Sequence, residues 1–481
     1  MRLFEIILLL ISTIFPFYIS TKGYRLNKKF PLLIIGSIIT LHFIFEGYRW
    51  QMNPSYLITL ILVWCLYKEY SFFGAGWIKK VIGGLIFSIV LLCAWSLPYI
   101  LPVFSLPTPT GKYKVGSDYI HLKTDREEEI TENTNDKREL MIKVWYPANI
   151  KNEEKEPYLN EGNRIGFAEK YQLPKSTFNY LNYVETHTYK SPEVVSKNFP
   201  VLIFSHGSYS NAFGYYAIIE DIVSHGYIVL NINHTYESTG TLFPDGTIKL
   251  FNKEYDGKYV STQQMGELAW NSQQDFNNAK TEDKKLLVSK NILKNYIAAD
   301  ITKRWSKDLS SVIDNLETWN KSSFLANHID INKIGVFGHS QGAAAIGQAL
   351  LEDHRIIAGA NLDGVQWGNM IDSTLAKPFL IISSDWKFPH PNFNAYAFRN
   401  GSSTAFYDAK ISNSGHASFM DIPLMVNLPF INEAGTINPN RAYKITAVTL
   451  LQFFDKHLLG KPTNLMDLKT KYREFEIMQK E

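Results

Sequence analysis

The pentapeptide Gly338-His339-Ser340-Gln341-Gly342 lies between an apolar, strand-forming run at 333–337 and a small-residue, helix-forming run at 343–350. A serine flanked in this way by two glycines predicts a sharp strand-to-helix turn, because only glycine lets neighbouring backbone approach so closely on either side. Such a turn needs a strand inside a sheet and a helix folded back across it, which confines the surrounding chain to the α/β class. The Ser340 hydroxyl then projects from the turn with the helix N-terminus beneath it, an arrangement suited to acyl transfer. An ordinary glycine-rich turn is the plain alternative, and the flanking strand and helix weigh against it.

The rest of this region repeats the same rhythm. Strand-like runs occur at 112–123, 140–146, 201–205, 227–233, 333–337, 358–362, 378–384 and 404–411, and the later ones alternate with helical stretches. That βαβ order predicts a mostly parallel sheet with helices on both faces, while the first two runs, joined by an acidic, Asn-rich turn, read as an antiparallel pair at one edge. A helix over 298–319 places Ile301, Trp305, Leu309, Val312 and Leu316 on one face, which reads as packing. Two stretches, 151–198 and 235–297, are rich in Lys, Asn, Glu and Gln with scattered aromatics such as Phe167, Tyr171, Tyr255, Tyr259 and Trp270. They read as lid or pocket-wall insertions outside the sheet, with surface loops as the alternative.

A serine hydroxyl is a weak nucleophile, so it needs a histidine base and a carboxylate to orient that base. Asp363 ends the short apolar run 358–362, and His416 lies in the loop Asn413-Ser414-Gly415-His416 after the run 404–411, giving the order Ser, Asp, His. The plain alternatives are that Asp363 simply starts a turn and that His416 is one of 12 histidines. Asp385, after the next strand, is the rival acid. The backbone N–H groups of Ser208, in the turn after 201–205, and of Gln341 are the candidate oxyanion donors.

From Leu106 to about Leu458 the chain resembles the plasma-type (group II) platelet-activating factor acetylhydrolase family and its bacterial relatives. The resemblance is carried by Pro109-Thr110-Gly111, Val144-Trp145-Tyr146-Pro147, Ser205-His206-Gly207, Gly338-His339-Ser340 and Leu362-Asp363. It departs at Ser208-Tyr209, where the family usually has an apolar residue and a glycine, and at Gly342-Ala343, where the family commonly has Gly-Gly. The resemblance implies an α/β-hydrolase fold, Asp363 as the acid, and short-acyl or oxidised phospholipids and related lipid esters as substrates. The expected chemistry is ester hydrolysis through an acyl-enzyme, with Ser340 attacking, His416 moving the proton and Asp363 orienting it, and with no cofactor or metal. An acyltransferase using the same triad and a non-catalytic membrane sensor or binding protein are the other readings.

Composition shifts abruptly near Leu106, which predicts a membrane module over 1–105 and a catalytic domain over 106–481. Apolar stretches at 3–20, 30–45, 55–67 and 81–104 are read as about four all-α spans, the first and last long enough to cross a bilayer and the third short. A signal peptide is the alternative for the first stretch, and buried core helices for the short ones. Lys22, Arg25, Lys28 and Lys29 mark the first connection and Lys68, Lys79 and Lys80 the third, against Arg49 in the second. The positive-inside rule then puts the catalytic domain outside the cell membrane. Cys65 and Cys93 both fall in apolar stretches, so no disulfide is expected. A net charge of +3 argues against a nucleic-acid partner, leaving the bilayer and a lipid or small ester as the expected partners.

Overall fold

Strand Ile329–His339, which ends in the elbow, lies near the middle of a twelve-stranded sheet. The computed structural model describes residues 1–22, 29–68, 76–385, 391–401 and 404–480. On one side of the elbow strand come Ile356–Leu362, Phe379–Ser383, Phe406–Ile411 and Phe475–Lys480; on the other come Phe199–Ser205, Ile228–Asn233, Lys137–Asn149, Lys114–Glu127, Glu185–Lys190 and Lys155–Pro157. The strands from Phe406–Ile411 across to Ile228–Asn233 are mutually parallel. Phe199–Ser205 and Ile228–Asn233 are buried at every position, which explains why 201–204 and 228–230 read as continuous apolar runs rather than alternating ones.

Helices Ala298–Ser322 and Gln341–Glu352 pack on each other, as do Tyr216–Ser224 and Pro439–Leu459. The first helix buries Ile301, Trp305, Leu309, Val312 and Leu316, the face expected from their spacing. This is an α/β-hydrolase fold with an N-terminal helical module.

Two expectations about the sheet need correction. The antiparallel pair Lys114–Glu127 and Lys137–Asn149 is present, but it is not the edge. Part of 151–198 joins the sheet: Glu185–Lys190 pairs with Lys114–Glu127, Lys155–Pro157 lies beyond it, and Glu193–Val194 pairs with Lys137–Asn149. These strands are short and carry Lys and Glu, features that protect an edge from pairing with other chains and that also hide a strand from a search for apolar runs. Phe475–Lys480, antiparallel at the opposite edge, was not among the expected strands either. The stretch 235–297 stays outside the main sheet as a small hairpin, Gly240–Leu242 with Ile248–Leu250, and helices Gln263–Asn278 and Glu282–Asn295.

The second unit is helical and consists of 1–105 with 177–184 and 424–432. Its helices are Leu3–Lys22, Lys29–Phe45, Asn53–Lys68 and Trp77–Ile100. Trp77–Ile100 is long and apolar enough to cross a membrane, with only 11% of its apolar window buried. Lys29–Phe45 and Asn53–Lys68, of 17 and 16 residues, are shorter. Arg25 and Lys28 of the first connection lie outside the described residues.

At one end of this unit charges meet in the interior. Arg49 pairs with Glu5 at 2.7 Å and donates to the Leu101 carbonyl at 2.9 Å, while Glu46 accepts from the Phe4 and Glu5 backbone at 2.8 and 3.0 Å. These bonds gather the starts of the first and third helices with the ends of the second and fourth. The helices therefore alternate in direction.

Candidate active site

The elbow geometry follows from its glycines. Ser340 has φ +56° and ψ −120°, and it caps helix Gln341–Glu352. A Cβ at Gly342 would lie 2.2 Å from the Ser205 carbonyl oxygen and 2.4 Å from that of His206, and one at Gly338 would meet the Gly342 backbone at 2.6 Å. Backbone cannot give way as a flexible side chain can, so both positions exclude any larger residue. The strained serine is held by its own N–H, which donates to the Leu362 carbonyl at 3.0 Å.

Parallel pairing brings the other candidate residues to the same edge of the sheet. Gly338 is in register with Ser205 on one side and Asn361 on the other, so the turn Ser205-His206-Gly207, the elbow and Asp363 emerge side by side. Gly207 is so close that a Cβ there would sit 3.7 Å from Ser340 Oγ. Ser208 follows in an exposed turn, and Gln341 is the first residue of the elbow helix. The Gln341 side chain donates to the Ala298 carbonyl at 3.0 Å and to Thr302 Oγ1 at 2.8 Å, tying the elbow helix to helix Ala298–Ser322.

His416 begins a short 3-10 turn, His416–Phe419, after strand Phe406–Ile411. Its Nδ1 lies 2.7 Å from Asp363 Oδ2. Asp363 also accepts from the Ser384 N–H and hydroxyl, each at 2.7 Å. Burial alone would raise the Asp363 carboxyl, but the hydrogen bond and charge of His416 and the two Ser384 donors outweigh it and hold it below the usual aspartate value. Asp385 is placed otherwise: it accepts from the Asn413 N–H at 2.9 Å and from Lys410 at 3.4 Å, bracing the loop that carries His416. With Nδ1 directed at a carboxylate, the imidazole is fixed in orientation and tautomer and Nε2 is its basic end.

A platelet-activating factor acetylhydrolase isoform II family model matches residues 101–472, most of the chain. The chain belongs to that family. Its curated relatives include platelet-activating factor acetylhydrolases from Canis lupus familiaris, 28% identical over 56% of this chain and 60% of the relative, and from Bos taurus, 26% identical over 54% and 58%. A probable 1-alkyl-2-acetylglycerophosphocholine esterase from Arthroderma benhamiae is 21% identical over 56% of this chain and 62% of the relative. The chain thus spans about three fifths of the length of these relatives. Among solved structures, a ferulic acid esterase from Streptomyces cinnamoneus superposes with TM-score 0.61 at 23% identity, covering 78% of this chain and all of its own, which shows the shared fold.

In this family member several polar residues behind the candidate triad escaped the sequence reading. His339, inside the elbow motif, donates from Nε2 to the His416 carbonyl at 3.0 Å, and its Nδ1 accepts from Tyr215 Oη at 3.2 Å. Tyr215 Oη in turn accepts from the Gly207 N–H at 3.2 Å. Burial, then the neighbouring His416, push the His339 imidazole down to about 3, so it remains the neutral donor and acceptor this chain requires. The motif position was visible in the sequence; its partners, 124 and 77 residues away, were not.

Both polar insertions reach the turn carrying Ser208. Phe251 stacks on Tyr209 at 3.6 Å between ring centres, and Lys170 donates to the Tyr209 carbonyl at 2.7 Å. Among the described residues no group of three or more His, Cys, Asp or Glu is arranged to hold a metal ion.

Proposed function

We propose that this protein is a membrane-anchored serine carboxylic ester hydrolase acting on lipid or short-acyl esters. The observation that carries the reading is the 2.7 Å bond between His416 Nδ1 and Asp363 Oδ2 beside a strained elbow serine. Ser340 attacks the ester carbonyl while His416 Nε2 takes its proton, and the Ser208 and Gln341 N–H groups receive the developing oxyanion. His416 returns the proton to the leaving alcohol. Water, activated by the same imidazole, then cleaves the acyl-enzyme.

The names of the relatives support an sn-2 short-acyl phospholipid as substrate, and the 151–198 and 235–297 segments serve as walls of its pocket through Lys170 and Phe251. Anchoring is supported by Trp77–Ile100, whose Leu85, Ile89 and Leu92 are all exposed, and by the alternating helices beside it, which we read as a multi-pass module with the catalytic domain outside.

The test is labelling with a fluorophosphonate probe, followed by a panel of esters varying in acyl length. Ser340→Ala should abolish labelling and lower kcat by about 10⁴ to 10⁶ while leaving the fold intact. Labelling and turnover that survive in this variant would end the hydrolase reading. Acyl transfer to an added membrane alcohol in place of free acid would reassign the enzyme as an acyltransferase.

A further inference from the structure

Beneath the turn after strand Phe199–Ser205 lies a second serine, histidine and aspartate in line. Ser205 Oγ donates to His234 Nε2 at 2.8 Å, and His234 Nδ1 donates to Asp308 Oδ2 at 2.8 Å. All three residues are 0% exposed, so this serine meets no substrate and the arrangement is not a second active site.

Its output runs the other way, into backbone. The His234 ring is stacked on Trp305 at 3.8 Å with planes 8° apart, and Asp308 is gripped by Arg138 at 2.7 Å and Arg126 at 2.8 Å. The His234 residue so fixed donates its backbone N–H to His206 Nε2 at 3.2 Å. With Nε2 committed as an acceptor, His206 carries its proton on Nδ1, which donates to the Gly207 carbonyl at 2.7 Å. That carbonyl and the Ser208 N–H are the two ends of one planar trans peptide and point in opposite directions. Holding the carbonyl therefore aims the N–H.

We propose that His206, backed by Ser205, His234 and Asp308, is a positioning residue that directs the Ser208 N–H at the oxyanion. This rests on the hydrolase reading above and on Ser208 as an oxyanion donor. The buried carboxylate selects the Nδ1–H tautomer of His234, which leaves Nε2 to accept from Ser205 and locks the serine, the imidazole and the start of the turn into one unit. Such a unit lowers the transition state without touching substrate, because the donor is already oriented when charge develops.

The test uses the full chain in lipid nanodiscs, with active sites titrated by a fluorophosphonate so that misfolded protein is not counted. His206→Gln moves the amide toward the Nε2 position and abandons the Nδ1 donor, whereas His206→Asn keeps an N–H near Nδ1. His206→Gln should lose about 100-fold in kcat per titrated site with KM within about twofold, and affinity for a trifluoromethyl ketone analogue of the ester should fall in parallel. His206→Asn should recover about tenfold of that loss. Should the His206 variants fail to fold, Ser205→Ala replaces them, with an expected loss of about threefold to tenfold in the same kcat-only pattern. Wild-type kcat per site, a loss confined to KM, or equal losses in the Gln and Asn variants would overturn the proposal. Turnover surviving in Ser340→Ala would instead sink the hydrolase reading itself.

Discussion

Asp363 reaches His416 from a left-handed backbone conformation, φ +55°, that a non-glycine residue adopts only at a cost of about 1 kcal/mol or more. The strain is offset locally: its N–H donates to the Ile382 carbonyl at 2.9 Å and its carboxylate is held by Ser384. Asp363→Asn keeps the shape but presents an amide to Nδ1, so kcat should fall by about 10⁴ through the wrong imidazole tautomer. Asp385→Asn, which loosens a loop brace, should cost less than about tenfold in kcat, and steady-state kinetics on one ester separate the two. The opposite ranking would move the acid to Asp385. His339 gives a second prediction. Its ordinary value of 6.5 falls to about 3 in the fold, so the unfolded chain takes up a proton that the native state refuses. The stability it contributes is fully present above pH 6.5 and is lost as pH falls from there toward about 3. Thermal midpoints from pH 7 to 4.5 should therefore decline, and decline less steeply in His339→Gln; parallel slopes would contradict this. Ser340, Asp363 and His416 were legible in the sequence as candidates for the proposed triad because each follows a recognisable strand in a fixed order. Asp308 and His234 were not, because Asp308 sits on a helix whose spacing announces only packing and its partner Arg138 lies 170 residues away.

At the scale of elements, what could be read was whatever an apolar run or helical period encodes. The parallel centre of the sheet is written in wholly buried runs such as Phe199–Ser205, and helix Ala298–Ser322 in its repeating apolar face. The edges are written differently. Glu185–Lys190 reads Glu-Thr-His-Thr-Tyr-Lys, with Thr186 and Thr188 as its buried positions, so no apolar alternation marks it as a strand. Glycine gives the element-scale prediction, because what an added methyl would meet differs sharply from place to place. Gly342→Ala would drive a Cβ into the Ser205 and His206 carbonyls and push the elbow helix off the sheet. We expect a loss of about 2 kcal/mol or more and of nearly all labelling by a fluorophosphonate. Gly266, inside helix Gln263–Asn278, has nothing within 4 Å of the same methyl. Gly266→Ala should raise stability by about 0.5 to 1 kcal/mol through helix propensity and leave activity unchanged. Denaturant unfolding of the two variants checks both, and a destabilised Gly266→Ala would show that helix to be packed more tightly than its exposure implies.

At the scale of the whole chain the proposed multi-pass module assigns each part a side of the membrane, and that assignment can be tested. Lys29, Lys68, Lys79 and Lys80 lie at helix ends opposite the Glu5–Arg49 network, since that network gathers the starts of the first and third helices with the ends of the second and fourth. A helix of 16 or 17 residues rises about 25 Å, short of the roughly 30 Å hydrocarbon core, so in the proposed module the middle two helices would span only where the bilayer thins or flanking side chains reach out to it. Basic residues at the Lys79 end should face the cytoplasm, which places Lys151 outside. In intact cells, with the two native cysteines replaced, a membrane-impermeant thiol reagent should label a cysteine introduced at Lys151 and spare one introduced at Lys79, and external protease should cut within 235–297. Labelling at Lys79 with protection at Lys151 would reverse the orientation. Labelling at both in cells shown to be intact would mean that Trp77–Ile100 does not separate the two positions, and the chain would then be held on the membrane surface rather than through it, with the catalytic domain on the same face as its lysines.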